Sequence, residues 1–289
     1  MRRRPDLSRS ISIRRSFGSV ASRQRTEKRQ NDEIRTGAKE PTEIIFGVEP
    51  VREMIAAAPA RIRRLYIKSD TEARFAPEIE AVRQHGGRIL VLAGSELARI
   101  AGSDTRHQGI VAAIDEYSYV PFEELLEHKL DPLVLVDGVT DPRNLGALLR
   151  SAECAGIRGI VLAKDRTVGL TPAAIKSSAG AWVHLLIGRC GNVAHTLESL
   201  KQEGYWIAAM DPGGDTSLYD LDVSRCLTLV LGSEGRGLRD IVRRTADYRV
   251  RIPLHGRTTS LNVSVAGAIT LFEIVRQRAA LNPSSVNTK

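Results

Sequence analysis

This 289-residue sequence predicts an α/β fold built on a mostly parallel sheet. Three observations carry that reading. Short apolar runs such as LVLV (133–136), GIVLA (159–163) and LTLVLG (227–232) have the continuity expected of strands buried on both faces. Helix-period segments alternate with those runs, as in βα units rather than hairpins. The hydrophobic content is 42% with aromatics at 4%, so the core is aliphatic, and no apolar run is long enough for a membrane span. A soluble protein is the expectation.

The elements begin near Ile44. EPVREMIAAA (49–58) has helical period, IRRLYIKS (62–69) reads as a strand, 76–85 as a helix, and GRILVLAG (87–94) and GIVAAI (109–114) as two more strands. These make a small α/β domain over 44–115. Residues 116–131 are polar, contain Pro121 and predict a linker with a short acidic helix. A larger domain follows over 132–280. Its strands are LVLVDG (133–138), GIVLA, VHLLI (183–187), YWIAA (205–209) and LTLVLG, and its helices cover 144–156, 171–179, 191–203 and 237–244. The last helix opens within SLNVSVAGAITLFE (260–273), just after a proline-marked strand end, RIPLHG (251–256). Segments 1–43 and 281–289 are expected to be disordered.

The formal charge is +8, and residues 1–40, with 12 Lys and Arg against 5 Asp and Glu, carry +7 of it, leaving +1 for the rest. The basic character is therefore a tail, suited to attracting a polyanion such as RNA. Acidic residues are nearly absent up to Thr26, which is also the composition of a mitochondrial transit peptide. A disordered basic tail and a cytoplasmic location are the expectation, with a mitochondrial location as the alternative if residues 1–40 are a transit peptide. Cys154, Cys190 and Cys226 form no C-x-x-C pair, and an odd number argues against a disulfide framework. Each is expected to be a small core residue in a reducing compartment. The six histidines have no ligand spacing, so no metal site is expected.

Three segments carry polar residues that packing alone explains poorly. In VDGVTDPRNLGALLRSAECAG (136–156), Asn144 is positioned to cap the helix, and Arg150 follows six residues later, on a different side of an ideal helix. Leu148, Leu149, Ala152 and Cys154 surround Arg150, which predicts partial burial and a need for an anion; the plain alternative is a surface ion pair. LTLVLGSEGRGLRD (227–240) is a strand running into glycines at 232, 235 and 237. That order is not the dinucleotide fingerprint, and no P-loop lysine is present; Glu234 within the turn is left over. In SLNVSVAGAITLFE, Val263, Ala266, Gly267 and Thr270 form one stripe, and Leu261, Val265, Ile269 and Phe272 a second, which predicts a helix buried on both sides. Ser260 and Asn262 stand where orphan helix N–H groups need partners, but capping accounts for one polar residue rather than three.

DPRNLGALLRSAECAG, LVLGSEGRGL and IPLHGRTTSLNVSVAGAITLFE together resemble, in order and spacing, the three motifs of the SpoU (TrmH-type) branch of the SPOUT RNA methyltransferases. FGVEPVREMI and RHQGIVA resemble the small, L30e-like substrate-binding domain of the RlmB-type 23S rRNA guanosine-2′-O-methyltransferases. The resemblance implies a SPOUT catalytic domain with a C-terminal trefoil knot, a homodimer whose active site is completed across the interface, and S-adenosylmethionine (SAM) held largely through backbone groups at Gly232, Ile252 and Leu261. It implies transfer of the SAM methyl to a ribose 2′-OH of large-subunit rRNA, at a guanosine. Arg150 is the catalytic arginine by motif position; a guanidinium, charged and with no lone pair to offer, suits a bidentate phosphate clamp better than a general base. Asn144, Glu234, Ser260 and Asn262 would orient Arg150, the ribose or the SAM carboxylate. His255 departs from the third motif. Methylation of tRNA, antibiotic-resistance methylation of rRNA and a non-catalytic RNA-binding assembly factor are the rival functions.

Because the body carries almost no net charge, deleting residues 1–40 is expected to weaken rRNA binding and flatten its salt dependence. Filter binding across a salt series measures this; an unchanged slope places the binding charge on the body instead.

Overall fold

In a computed structural model the described residues are 43–102, 105–233, 235 and 237–281. The expectations for disordered ends fall mainly on 1–42 and 282–289, outside that set. The first lobe contains β1 (Glu43–Phe46), α1 (Val48–Ala57), β2 (Ile62–Lys68), α2 (Ala76–Gln84), β3 (Arg88–Leu92), α3 (Gly94–Ala101) and β4 (Ile110–Ile114). Its four strands lie in the order β1-β4-β2-β3, antiparallel except for the parallel β2–β3 pair. Helix α3 was not expected from the sequence. Glu96 accepts from the Ala93 N–H at 3.2 Å, and Leu97 buries against Phe46, Tyr66 and Val111 on one sheet face.

The second lobe holds α4 (Phe122–Glu127), β5 (Leu133–Val136), α5 (Pro142–Cys154), β6 (Gly159–Ala163), α6 (Pro172–Ser177), β7 (Leu186–Cys190), α7 (Val193–Gln202), β8 (Trp206–Met210), β9 (Thr216–Ser217), β10 (Leu227–Leu231), α8 (Asp240–Thr245), β11 (Tyr248–Arg251) and α9 (Val263–Leu281). Its seven strands run in the order β7-β6-β5-β10-β8-β11-β9, every pair parallel. The parallel sheet expected from the buried apolar runs is thus present. Strand residues alternate sides. Val134, Val136, Leu229 and Leu231 join the cluster under α5, while Leu133, Leu135, Val161 and Val230 join Leu197 and Leu200 of α7. The largest boundary shifts are at β7 and α8: Ala181–His184 is a 3-10 turn, so β7 starts at Leu186 rather than 183, and α8 begins at Asp240 rather than 237.

The lobes share an aliphatic core, and an aromatic joint lies beside it. Trp182 is fully buried. Tyr117 packs edge-on to it at 5.5 Å and to Tyr119 at 5.2 Å, and the Arg61 guanidinium lies 5.6 Å from both the Tyr117 and Trp182 rings. Glu53 of α1 meets His184 at 3.2 Å. Residues expected to be a linker also pack: the Val120 N–H donates to the Ile187 carbonyl at 2.9 Å.

Helix α9 positions the site. Gly267 lies so close to α5 and β10 that a Cβ would stand 2.6 Å from Leu148 Cδ1 and 3.0 Å from Leu231 Cδ1. The far end is tied by Arg278, which donates to Asp131 Oδ1 at 2.8 Å and to the Val223 and Arg225 carbonyls, both at 3.0 Å. Between β11 and α9 the chain therefore crosses the carboxyl ends of β8 and β10. The expectation that α9 is buried on both sides is corrected. Gly267, Thr270, Leu271 and Ile274 are buried, but Val265 (46% exposed), Ile269 (37%) and Phe272 (49%) face outward, because the sheet covers one side of the helix. Cys154 is likewise exposed rather than a core residue, since it lies at the end of α5 beyond the buried stripe.

Gly146 of α5 abuts the Ala174 carbonyl of α6; a Cβ there would also stand 2.5 Å from Ser177 Cβ and 2.9 Å from the Ser178 nitrogen. Backbone cannot give way as a side chain can, so Gly146→Ala is expected to cost about 1–3 kcal/mol, seen as a lower denaturant midpoint at unchanged slope.

Candidate active site

Parallel sheets offer binding crevices at the carboxyl ends of their strands, where loops and helix starts expose backbone groups. Two clefts lie there. The first, of about 630 Å³, is lined by the ends of β8 (Met210, Asp211), β10 (Leu231, Gly232) and β11 (Val250, Ile252) and by residues of 260–266. Gly232, Ile252, Ser260, Leu261 and Asn262, which the resemblance singles out, all line it.

The glycine turn after β10 folds back on itself. The Ser233 N–H donates to the Gly237 carbonyl and the Gly237 N–H to the Ser233 carbonyl, both at 3.0 Å, and Ser233 Oγ adds a bond to Gly237 O at 3.1 Å. The closure uses positive φ at Gly235 (84°) and Gly237 (65°), which side-chain-bearing residues rarely adopt. A Cβ on Gly232 would stand 2.7 Å from the Gly237 carbonyl. Glu234, singled out in this turn, lies outside the described residues. The turn is anchored from behind: Arg239 Nε donates to Asp137 Oδ2 at 2.6 Å, with the Asp137 side chain 1% exposed. Nearby Cys190 has its thiol pKa pushed up by burial foremost, so it is a core thiol rather than a nucleophile.

Asn262 is the hinge of the opposite wall. Its Oδ1 accepts from the Ser264 N–H at 2.9 Å and from Ser264 Oγ at 2.6 Å, so it caps α9. Its Nδ2 donates to Asn144 Oδ1 at 3.1 Å, across to α5. Asn144 is not the cap of α5, as expected from sequence. Asp141 caps it by accepting from the Arg143 N–H at 2.8 Å, and Pro142 occupies the first helical position. Asn144 is thus already helical, which leaves Arg150 on another side of α5. Arg150 is exposed, against the expectation of partial burial, and lines neither cleft. The buried stripe of α5 runs along Leu145, Leu148, Leu149 and Ala152 and leaves Arg150 pointing away.

Asp211 and Arg243 escaped the sequence reading. Asp211, nearly buried, accepts from the Gly213 N–H at 3.0 Å and pairs with Arg243 Nε at 3.2 Å, placing both charges on the first cleft. The available signal was DPGG (211–214) directly after a buried strand. The second cleft, about 560 Å³, is lined by Gly138, Thr140, Asp165, Arg166, Thr167, Val168 and Ser233. Ser233 belongs to both clefts. Gly138 (φ 105°) lies so close to Ser233 that a Cβ would stand 2.6 Å from the serine Cβ. Among the described residues no group of three His, Cys, Asp or Glu could hold a metal ion, and no helix is long and apolar enough to cross a membrane.

Comparisons with known proteins bear on this geometry. Residues 131–272 match the SpoU rRNA Methylase family, and residues 44–120 match a family described as RNA 2′-O ribose methyltransferase substrate binding. The 23S rRNA (guanosine-2′-O-)-methyltransferase RlmB of Coxiella burnetii is 38% identical over 246 residues, covering 83% of this chain and 98% of the relative. The RlmB of Escherichia coli K12 is 36% identical over 243 residues, covering 82% and 100%. The crystal structure of the SpoU methyltransferase AviRb from Streptomyces viridochromogenes in complex with the cofactor AdoMet aligns with TM-score 0.69 at 25% identity, over 82% of this chain and 90% of that one.

Asn262→Ala removes both the cap and the link to α5, and is expected to cost about 1 kcal/mol of stability and several-fold in SAM affinity. Asn262→Ser keeps a capping oxygen but does not reach Asn144. Thermal unfolding and calorimetry on the two variants separate the roles; equal SAM affinity in wild type and both variants removes the link from the site.

Proposed function

The chain belongs to the SpoU rRNA methylase family, and from that premise we propose that it transfers the methyl group of SAM to a ribose 2′-OH of large-subunit rRNA, at a guanosine. The observation that carries this reading is convergence: the ends of β10 and β11 and the mouth of α9, far apart in sequence, line one cleft, and Asn262 links it to α5. Its volume of about 630 Å³ is within the usual range for a cofactor of this size. The bare backbone at Gly232, the strand end at Ile252 and the loop at Leu261 provide the amide and carbonyl groups for a nucleoside, with apolar walls from Leu231, Leu254 and Val263. When bound, SAM supplies a strongly electrophilic methyl on a sulfonium.

The protein's part is positioning. The doubly bonded glycine turn and the capped α9 hold the two walls of the cleft without rearrangement. Ser260 and Asn262 stand at the rim, where a 2′-OH must be presented. Arg150 orients the RNA by a bidentate grip on a phosphate, and water or that phosphate takes the proton. Since Arg150 is outside its own cleft, we propose that a second copy of the chain brings it to the site. The exposed apolar side chains of Leu261, Val265, Ile269 and Phe272 are the surface for that copy, as such a patch favours association. The crossing of residues 252–262 over β8 and β10 is the feature that supports a C-terminal trefoil knot. The lobe over 44–115 is proposed to bind the RNA, with 116–131 joining it to the catalytic domain over 132–280.

Mapping 2′-O-methyl groups in 23S rRNA with and without the protein and SAM tests the function. Transfer to tRNA alone, or RNA binding with no transfer, overturns it in favour of a rival. Arg150→Lys is expected to keep SAM affinity while losing about 10²-fold or more in methyl transfer, since a point charge replaces a fork; near-normal turnover removes Arg150 from the mechanism.

A further inference from the structure

We infer that the second cleft receives the target nucleoside, and that the Asp165 carboxylate reads its base as guanine. This rests on the methyl-transfer reading above and names the recognition element of that site. The cleft opens beyond the carboxyl ends of β5 and β6, beside the first, with Ser233 on the boundary. A ribose seated at that boundary faces both clefts, which a transfer between cofactor and nucleoside requires. About 560 Å³ is ample for a nucleotide drawn out of its stack.

The floor is rigid. The Thr167 hydroxyl, nearly buried, accepts from the Gly138 N–H at 2.9 Å and donates to the Val136 carbonyl at 3.0 Å, bolting the loop after β6 to the loop after β5. The hydroxyl proton of this threonine and one of its lone pairs serve the frame and the side chain is nearly buried, so recognition falls to Asp165, Arg166 and Thr140. Asp165 and Arg166 are exposed, and neither is in an ion pair among the described residues. A free carboxylate in an RNA-facing cleft repels phosphates, so its favourable partners in RNA are N–H and O–H donors. The Watson–Crick edge of guanine places two N–H donors, N1–H and N2–H, side by side, matching the two oxygens of one carboxylate. Adenine, cytosine and uracil each set a donor beside an acceptor, which leaves one carboxylate oxygen facing a lone pair. Single-stranded RNA bases are commonly read on this edge, and Arg166 supplies a charged fork for the flanking phosphate.

The test uses the full-length protein with the methylated guanosine mapped first on an unmodified 23S rRNA transcript. A short RNA spanning that position is then made with guanosine or with inosine, which lacks the N2 amino group. The wild type is expected to favour guanosine by about tenfold or more in kcat/KM, as a charged hydrogen bond is lost with inosine. Asp165→Ala and Asp165→Asn are expected to lower the guanosine rate towards the inosine rate and close the discrimination, with SAM affinity unchanged by calorimetry. A wild type that methylates both RNAs equally overturns the inference, as do Asp165 variants that keep the wild-type ratio. If the wild type methylates no rRNA at all, the proposed function itself fails, and the inference falls with it.

Discussion

A single amide joins the two halves of the site. Asn262 divides its side chain: the oxygen receives the N–H and the hydroxyl of Ser264, and the nitrogen reaches Asn144 on α5. The start of α9 is held in this way against α5, which itself packs on β5 and β6 and on α6. The glycine turn, the end of β11 and the mouth of α9 can form a common cleft because α9 is held there. Gly267 allows the approach by having no side chain to place between Leu148 and Leu231. At the other end of the helix, Arg278 ties α9 to Asp131 and to the loop before β10.

The remainder of the second lobe keeps this arrangement stiff. The sheet is buried on both sides, and its strand ends are cross-bolted by Thr167 between β5 and β6 and by Asp137–Arg239 behind the glycine turn. Buried bonds of this kind are costly to break, because the freed groups lose water as well as partners. The shared aliphatic core and the edge-on joint of Tyr117 and Trp182 with Arg61 beside both rings extend the same rigidity towards the first lobe.

The parallel sheet was legible because its strands are uninterrupted aliphatic runs, and burial on both faces leaves that trace in sequence. Asn144 was misplaced for a local reason: DPRN holds two capping residues three apart, and Pro142 at the first helical position decides for Asp141. The exposed face of α9 was not legible, as Val265, Ile269 and Phe272 read as core whether the sheet or another surface covers them. Helix α3 went unseen although Leu97, Ile100 and Ala101 fall on one helical face, because it starts at Gly94, which the sequence reading assigns to the preceding strand. Asp211 and Arg243, 32 positions apart, are joined by the fold alone, and no spacing rule links them.

The close approach of Gly138 to Ser233 has an energetic consequence. One serine belongs to both cavities, and its own oxygen and nitrogen are bonded to Gly237. An occupant that shifts Ser233 from one side alters the shape offered on the other. Equilibrium binding at the two sites is then linked, and linkage is reciprocal: whatever factor the first ligand imposes on the second, the second imposes on the first. Cooperativity between the two ligands would thus be set at one side chain, without a hinge or a moving lobe.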